Sequence, residues 1–323
     1  MIDLHHHFDG AFDINALYTE AKRRALPQGN LAAAEFKSRC EVPADCRTLT
    51  EFLAVFDFFY DIAQDLDFLH NEAKKLPRRM ADGGVAYLET RFAPHLFTGS
   101  KFKATDIVEG VVSGLESGSG SPVRLILCAM RSAPVETVAE IVDLYEKFKS
   151  RGVCGIDLAG DESRYACREY APVFARAHEQ AIPITIHAGE ASGPQSVYDA
   201  LDLFKARRIG HGIRSMEDAA LVNRLAEEKI GLEVCLTSNL QTGNAASYKA
   251  HPFLRLREAG VKVTINTDDP TVSGIDLKHE WEKATAEYSF SPADRKELLL
   301  NSVSAAFCDD SLKEKLRKQV EAA

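Results

Sequence analysis

The sequence predicts an α/β protein, a TIM (β/α)8 barrel with a helical insertion after the first strand. Three observations carry the prediction: eight short apolar runs spread over the whole chain, longer amphipathic segments between them, and polar residues ending most of the runs. A barrel of this class takes about 250 residues, so 323 residues hold one barrel plus insertions. A second full domain would leave both undersized, and residues 1–323 are read as a single domain. An open doubly wound sheet is the architectural alternative, but it gathers its chemistry at one switch-point crevice rather than at the ends of most strands.

In chain order the runs are IDLHHHF from Ile2, VAYLETRFAP from Val85, VRLILCAMR from Val123, VCGIDLAGD from Val153, IPITIHAGE from Ile182, RIGHGI from Arg208, GLEVCLTSN from Gly231 and VKVTINTDDP from Val261. They are nearly continuous in apolar character, as expected of strands covered on both faces. Between them lie helical patterns. In VETVAEIVDLYEKFKSRG, Val138, Ile141, Val142, Tyr145 and Phe148 recur near helical spacing, and Gly152 offers a stop. The longest connection runs from about Ala11 to Gly84 and contains the helical stretch TLTEFLAVFDFFYDIAQDLDFL. Periodicity alone makes it a packing element, long enough to roof one side of a barrel mouth.

The net charge of -9 and a pI near 5.6 argue against a surface that gathers nucleic acid or anionic lipid, which relies on clustered Lys and Arg. A small, weakly charged partner suits the balance better. The seven cysteines are scattered and form no C-x-x-C pair, which reads as reduced thiols in a cytoplasmic protein. MIDLHHHFDG lacks the basic and apolar regions of a secretion signal, and no run reaches the ~20 apolar residues of a membrane helix. Nothing in the sequence speaks to oligomeric state.

The polar residues at strand ends carry the chemistry, because the C-terminal ends of barrel strands converge on one face. His5 and His7 alternate by two, so their rings point into the barrel while His6 points away. His187 after IPITI adds a third nitrogen, and Asp268 or Asp269 in NTDDP a carboxylate. Three histidines and an aspartate at the ends of strands one, five and eight point to hydrolytic zinc chemistry. Glu190, three residues after His187, falls just past its strand, where a carboxylate can reach a substrate; His211, between two glycines, can accept or orient a proton of the attacking water. No lysine occurs between Lys149 and Lys205, where binuclear barrel hydrolases often carry a carbamylated lysine, so a single metal is favoured. The H-x-E with P-C-x-x-C pattern of the other zinc deaminase design is absent.

Taken in order, HHHFDG, TLTEFLAVFDFF, ETRFAP, GIDLAGDE, TIHAGE, RIGHGI, LEVCLTSNLQTG and NTDDP closely resemble the adenosine deaminase family from residue 5 to about 270. The resemblance implies one Zn2+ held by His5, His7, His187 and Asp268. It also implies that Glu190 donates a proton to purine N1 as hydroxide attacks C6, and that His211 positions and deprotonates the water. By the same resemblance Asp269 meets N7, the backbone of Gly160 meets N3, Asp9 contacts the ribose hydroxyls, and Leu49, Phe52, Leu53 and Phe56 line an apolar flap. The implied activity is conversion of adenosine and 2′-deoxyadenosine to their inosine products with release of ammonia, in purine salvage. Adenine deaminases share the metal set and remain the alternative, with a non-catalytic nucleoside binder behind them. The sequence departs from the family pattern at His6 and at Leu236, where many relatives carry proline.

Overall fold

The computed structural model describes residues 1–322. Its eight strands are β1 (Ile2–His7), β2 (Tyr87–Phe92), β3 (Val123–Met130), β4 (Val153–Ala159), β5 (Thr185–Ala188), β6 (Arg208–His211), β7 (Gly231–Val234) and β8 (Lys262–Ile265). Each falls inside one of the eight apolar runs. All pairings are parallel, in the order β1-β2-β3-β4 and β5-β6-β7-β8. Two isolated bridges join the sheets into a barrel, Ile156 with Ile184 and His6 with Asp268. The second joint is backbone to backbone: the His7 N–H donates to the Asp268 carbonyl at 2.7 Å, and the Asp268 N–H donates to the His5 carbonyl at 2.8 Å. Barrel closure therefore sets Asp268 beside the β1 histidines.

Helices cover the outside. The helix Val135–Phe148 buries Val138, Ile141, Val142 and Phe148 as its spacing requires, with Leu144 in addition, and Gly152 follows at φ +96°. In the insertion, α1 (Ile14–Arg23) is capped by Asp13, whose carboxylate accepts from Ala16 N–H; α2 (Ala33–Cys40) follows. The stretch expected to be helical is broken. It comprises α3 (Leu49–Leu53), a 3-10 turn at Phe56–Phe58, α4 (Tyr60–Ala63) and the start of α5 (Leu66–Asp82). Thr48 and Asp65 each cap a new helix start through a side-chain oxygen, and the chain turns between them so that its aromatics face two different masses.

One of those masses is an aromatic cluster that seats the insertion on the barrel. Phe12 is fully buried and packs edge-on against Phe8 at 5.1 Å and Phe68 at 5.2 Å, with Phe59 at 6.4 Å and Phe97 at 6.3 Å between ring centroids. Edge-to-face aromatic packing favours this geometry beyond the area it buries. Phe12→Ala is expected to lower unfolding free energy by about 3–5 kcal/mol in urea titration, the usual loss for truncating a buried aromatic ring. A loss below about 1 kcal/mol would mean that the insertion is seated elsewhere.

Candidate metal and substrate site

The rings of His5 and His7 enter the barrel from β1. Asp268 arrives from the loop that follows β8, three residues beyond the strand proper, rather than at its end. His5 Nε2 lies 3.2 Å from Asp268 Oδ1, His7 Nε2 lies 3.4 Å from the same oxygen, and His7 Nε2 lies 3.1 Å from His187 Nε2. Ligand atoms sharing a tetrahedral zinc ion with bonds of ~2.0–2.1 Å lie roughly 3.3–3.4 Å apart, so these separations match the edges of one coordination sphere. His211 and Asp268 are both held at positive φ, +60° and +63°. A non-glycine residue there costs on the order of 1 kcal/mol or more and persists only where its surroundings dictate it.

The outer ring nitrogens decide which atoms face inward. His5 Nδ1 contacts Glu233 Oε2 at 2.7 Å, and His187 Nδ1 lies 2.9 Å from Asp157 Oδ2 on a line bent off the N–H direction. A carboxylate only accepts, so each ring carries its proton on Nδ1 and turns the Nε2 lone pair inward. The buried His5 Nε2 has no hydrogen-bond partner, and His7 Nε2 and His187 Nε2 face each other at 3.1 Å. A cation between them relieves both features. The Arg91 guanidinium bridges the two supporting carboxylates, 2.8 Å from Asp157 and 2.7 Å from Glu233, and Arg208 pairs with Glu233 and Glu89. All five side chains are buried, and with Asp268 the carboxylates of this network outnumber its guanidiniums by two. A divalent cation balances that excess. The donor set and its charge therefore fit the zinc that the sequence implies.

Four ligating atoms, of His5, His187, His211 and Asp268, lie within 4.8 Å of one another, and His7 groups with Asp268 and Asp269. Hydrogen bonding separates His211 from the other rings. The Phe253 N–H donates to His251 Nδ1 at 3.0 Å, leaving His251 with its proton on Nε2, 3.2 Å from Asn239 Oδ1. The Asn239 amide nitrogen therefore faces His211 Nδ1, at 3.2 Å, and donates to it. Neutral His211 then carries its proton on Nε2 and offers no lone pair inward. It lies 3.6 Å from Glu190 Oε2 and 3.9 Å from Asp268 Oδ2, on the substrate side.

One cavity of about 60 Å³ gathers nearly every residue singled out from the sequence: His7, Asp9, Leu53, Phe56, Gly160, His187, Glu190, His211, Asp268 and Asp269 line it, with Leu49 and Phe52 beside them, and His5 reaches Asp268 without lining it. Burial, with the charges of Asp268 and Glu162, pushes the Glu190 carboxyl well above the carboxylate range. Burial likewise raises Asp269, helped by the charges of Asp268 and Asp9. The adjacent aspartates thus sit in unlike surroundings, Asp268 among imidazoles and Asp269 among carboxylates that favour its protonated form. Gly10 makes room for Asp269, since a Cβ there would lie 1.9 Å from Asp269 Oδ1. Asp9, raised to about 7 by burial, faces the Tyr60 hydroxyl at 3.4 Å through Oδ2, and its Oδ1 is buried without a partner.

Arg91, Asp157, Glu233, Asn239 and His251 had no assigned role in the sequence. Asp157, Glu233 and Arg91 were detectable there as charges within apolar strand runs; His251 lies outside any motif.

A family model described as adenosine deaminase matches residues 1–323. The adenosine deaminase of Haemophilus ducreyi is 36% identical over 330 residues, covering 99% of this chain and 95% of that protein. Among solved structures, the adenine deaminase of Arthrobacter aurescens superposes with a TM-score of 0.91 at 25% identity, covering 99% of this chain and 98% of its own. The N6-mAMP deaminase of Arabidopsis gives 0.89 at 27% identity, covering 100% and 97%. The relatives thus span three purine substrates on one barrel. The chain is a hydrolase that belongs to the adenosine deaminase family.

Proposed function

We propose that residues 1–323 act as one barrel domain that deaminates adenosine and 2′-deoxyadenosine hydrolytically, with one zinc ion held by His5, His7, His187 and Asp268. The observation that carries the reading is the sorting of protons around the cavity. His5 and His187 turn Nε2 atoms towards Asp268, while burial and neighbouring carboxylates raise Glu190 and Asp269 across the cavity towards their protonated forms. Zinc bound there supplies hydroxide at neutral pH by lowering the pKa of water toward ~7.

The chain's own residues do the rest. Glu190 gives its proton to purine N1 as hydroxide adds to C6; the proton of the added hydroxyl then passes to the C6 amino group as the C6–N bond breaks, ammonia leaves, the 6-oxopurine remains, and Glu190 takes a proton back from solvent. A carboxyl kept protonated near neutral pH by burial suits that step. His211, a donor at Nε2, orients the attacking oxygen; in this tautomer it has no inward lone pair with which to take a proton. Protonated Asp269 donates to N7, and the Gly160 backbone meets N3.

Substrate choice rests on the far wall. No Arg or Lys lines the cavity among the described residues, so a nucleotide phosphate has no counter-charge there. Asp9 Oδ1, buried and without a partner, suits a ribose hydroxyl and favours nucleoside over free base. A cavity of about 60 Å³ is far below the ~300–1,000 Å³ of common ligand pockets, so the wall formed by Leu49, Phe52, Leu53 and Phe56 must swing out to admit a nucleoside. The adenine deaminase reading keeps its place because a structural neighbour of that activity shares the barrel.

Loss of the ultraviolet absorbance of adenosine on mixing with the zinc-loaded protein is the direct test, and no turnover would refute the proposal. Glu190→Gln is expected to bind zinc and adenosine normally while kcat falls by roughly 10²–10⁴-fold, the usual contribution of a positioned acid. Asp9→Ala is expected to raise KM for adenosine by about 10-fold or more, the cost of a lost hydrogen bond to a charged group. An equal effect on adenine would place Asp9 away from the ribose.

A further inference from the structure

Glu162 lies just beyond β4, outside the wall of the substrate cavity, and no step of the reaction above uses it. Its buried carboxylate faces the loop between β5 and the helix Pro194–Asp202. Oε1 accepts the Gly189 N–H at 2.8 Å, and Oε2 accepts those of Glu190, Ala191 and Ser192 at 3.0, 2.9 and 3.0 Å. The Ser196 hydroxyl also donates to Oε1, and the Ser192 hydroxyl donates to the Glu162 carbonyl at 2.9 Å.

Four consecutive amides aimed at one point form a backbone nest of the kind that binds anions. Here the anion is the chain's own carboxylate. Gly189 turns the first amide inward at φ +66°, and a Cβ there would lie 2.6 Å from Val197 Cγ2. From the opposite side Arg214 donates Nη1 to the Ala191 carbonyl at 2.6 Å and its own N–H to the Gly189 carbonyl at 2.9 Å. The segment that carries Glu190 is thus gripped on its N–H groups from β4 and on its carbonyls from the turn after His211.

We propose that Glu162 is a positioning residue for proton transfer, its carboxylate fixing the backbone of residues 189–192 so that Glu190 points at the substrate. The inference rests on Glu190 being the proton donor. Glu162 also acts through its charge, which raises the Glu190 carboxyl after burial and Asp268.

Glu162→Gln replaces one accepting oxygen with an amide that opposes the amide donors. In the zinc-loaded enzyme it is expected to lower kcat for adenosine on the order of 100-fold, as for a sub-ångström to ångström misplacement of a reacting group, with KM little changed. The alkaline limb of the kcat profile should move to lower pH. Turnover needs protonated Glu190, and loss of a neighbouring negative charge lets it ionise earlier. Glu162→Asp keeps the charge but withdraws it, so kcat should fall with the limb in place. Near-normal kcat in both variants overturns the proposal, as does a fall in kcat that follows melting temperature while the limb of Glu162→Gln stays put. Should either variant fail to fold, hydrogen exchange of the unaltered protein decides: slow exchange at residues 189–192 supports the nest, and exchange as fast as in open loops refutes it. Glu190→Gln run alongside separates the two readings. If it turns over, the parent reading fails; if it is inactive beside fully active Glu162 variants, only this inference fails.

Discussion

The Arg91 guanidinium sits at the centre of the barrel between Asp157 and Glu233, and the chemistry above it depends on that bridge. Burying such a group costs several kcal/mol, and apolar side chains of similar volume would often fill a core as well or better. What the ion network adds is direction. Each carboxylate spends one interaction on Arg91 and another on the outer nitrogen of a histidine, so His5 and His187 have one tautomer and one orientation. Arg208 completes the support by pairing with Glu233 and Glu89 while its guanidinium lies 3.8 Å from the Phe307 ring below. The interior of this barrel is a filled ionic plug, and its outer end is a set of lone pairs pointed at one place.

The same logic separates histidines that look alike in sequence. His5 and His187 are backed by carboxylates and become acceptors inward; His211 is backed by an amide nitrogen and becomes a donor. In the proposed site, the identity of the second partner, rather than the ring, divides coordination from orientation. Asp268 and Asp269 divide in the same way, one surrounded by imidazoles and the other by carboxylates.

Much of this was legible in the sequence. The eight apolar runs became the eight strands because a strand covered on both faces leaves few positions for charge. Alternation in His5-His6-His7 placed two rings inward and sent His6 to Thr90 on the other side, at 2.9 Å. The insertion was less legible. Its aromatic residues fit one long amphipathic helix, yet Thr48 and Asp65 start separate helices, and only three-dimensional packing shows that Phe12 anchors the segment while Phe56 and Leu53 face the cavity. Asp157, Glu233 and Arg91 stood in the quoted motifs as charges without partners, since pairing across the barrel joins residues as far apart as Arg91 and Glu233. The Asn239–His251 relay left no signal because Asn239 carries no charge to single it out within its motif and His251 lies outside any motif. All seven cysteines are buried and unpaired, as their scattering suggested, and no described helix is long and apolar enough to cross a membrane.

In the proposed site, hydrogen bonding selects which histidines hold the metal. Anomalous diffraction at the zinc edge from crystals of the zinc-loaded protein measures it directly. One peak is expected about 2.0–2.2 Å from the Nε2 atoms of His5, His7 and His187 and from an Asp268 oxygen, with His211 outside the coordination sphere. A peak ligated by His211 in place of His7 would contradict it.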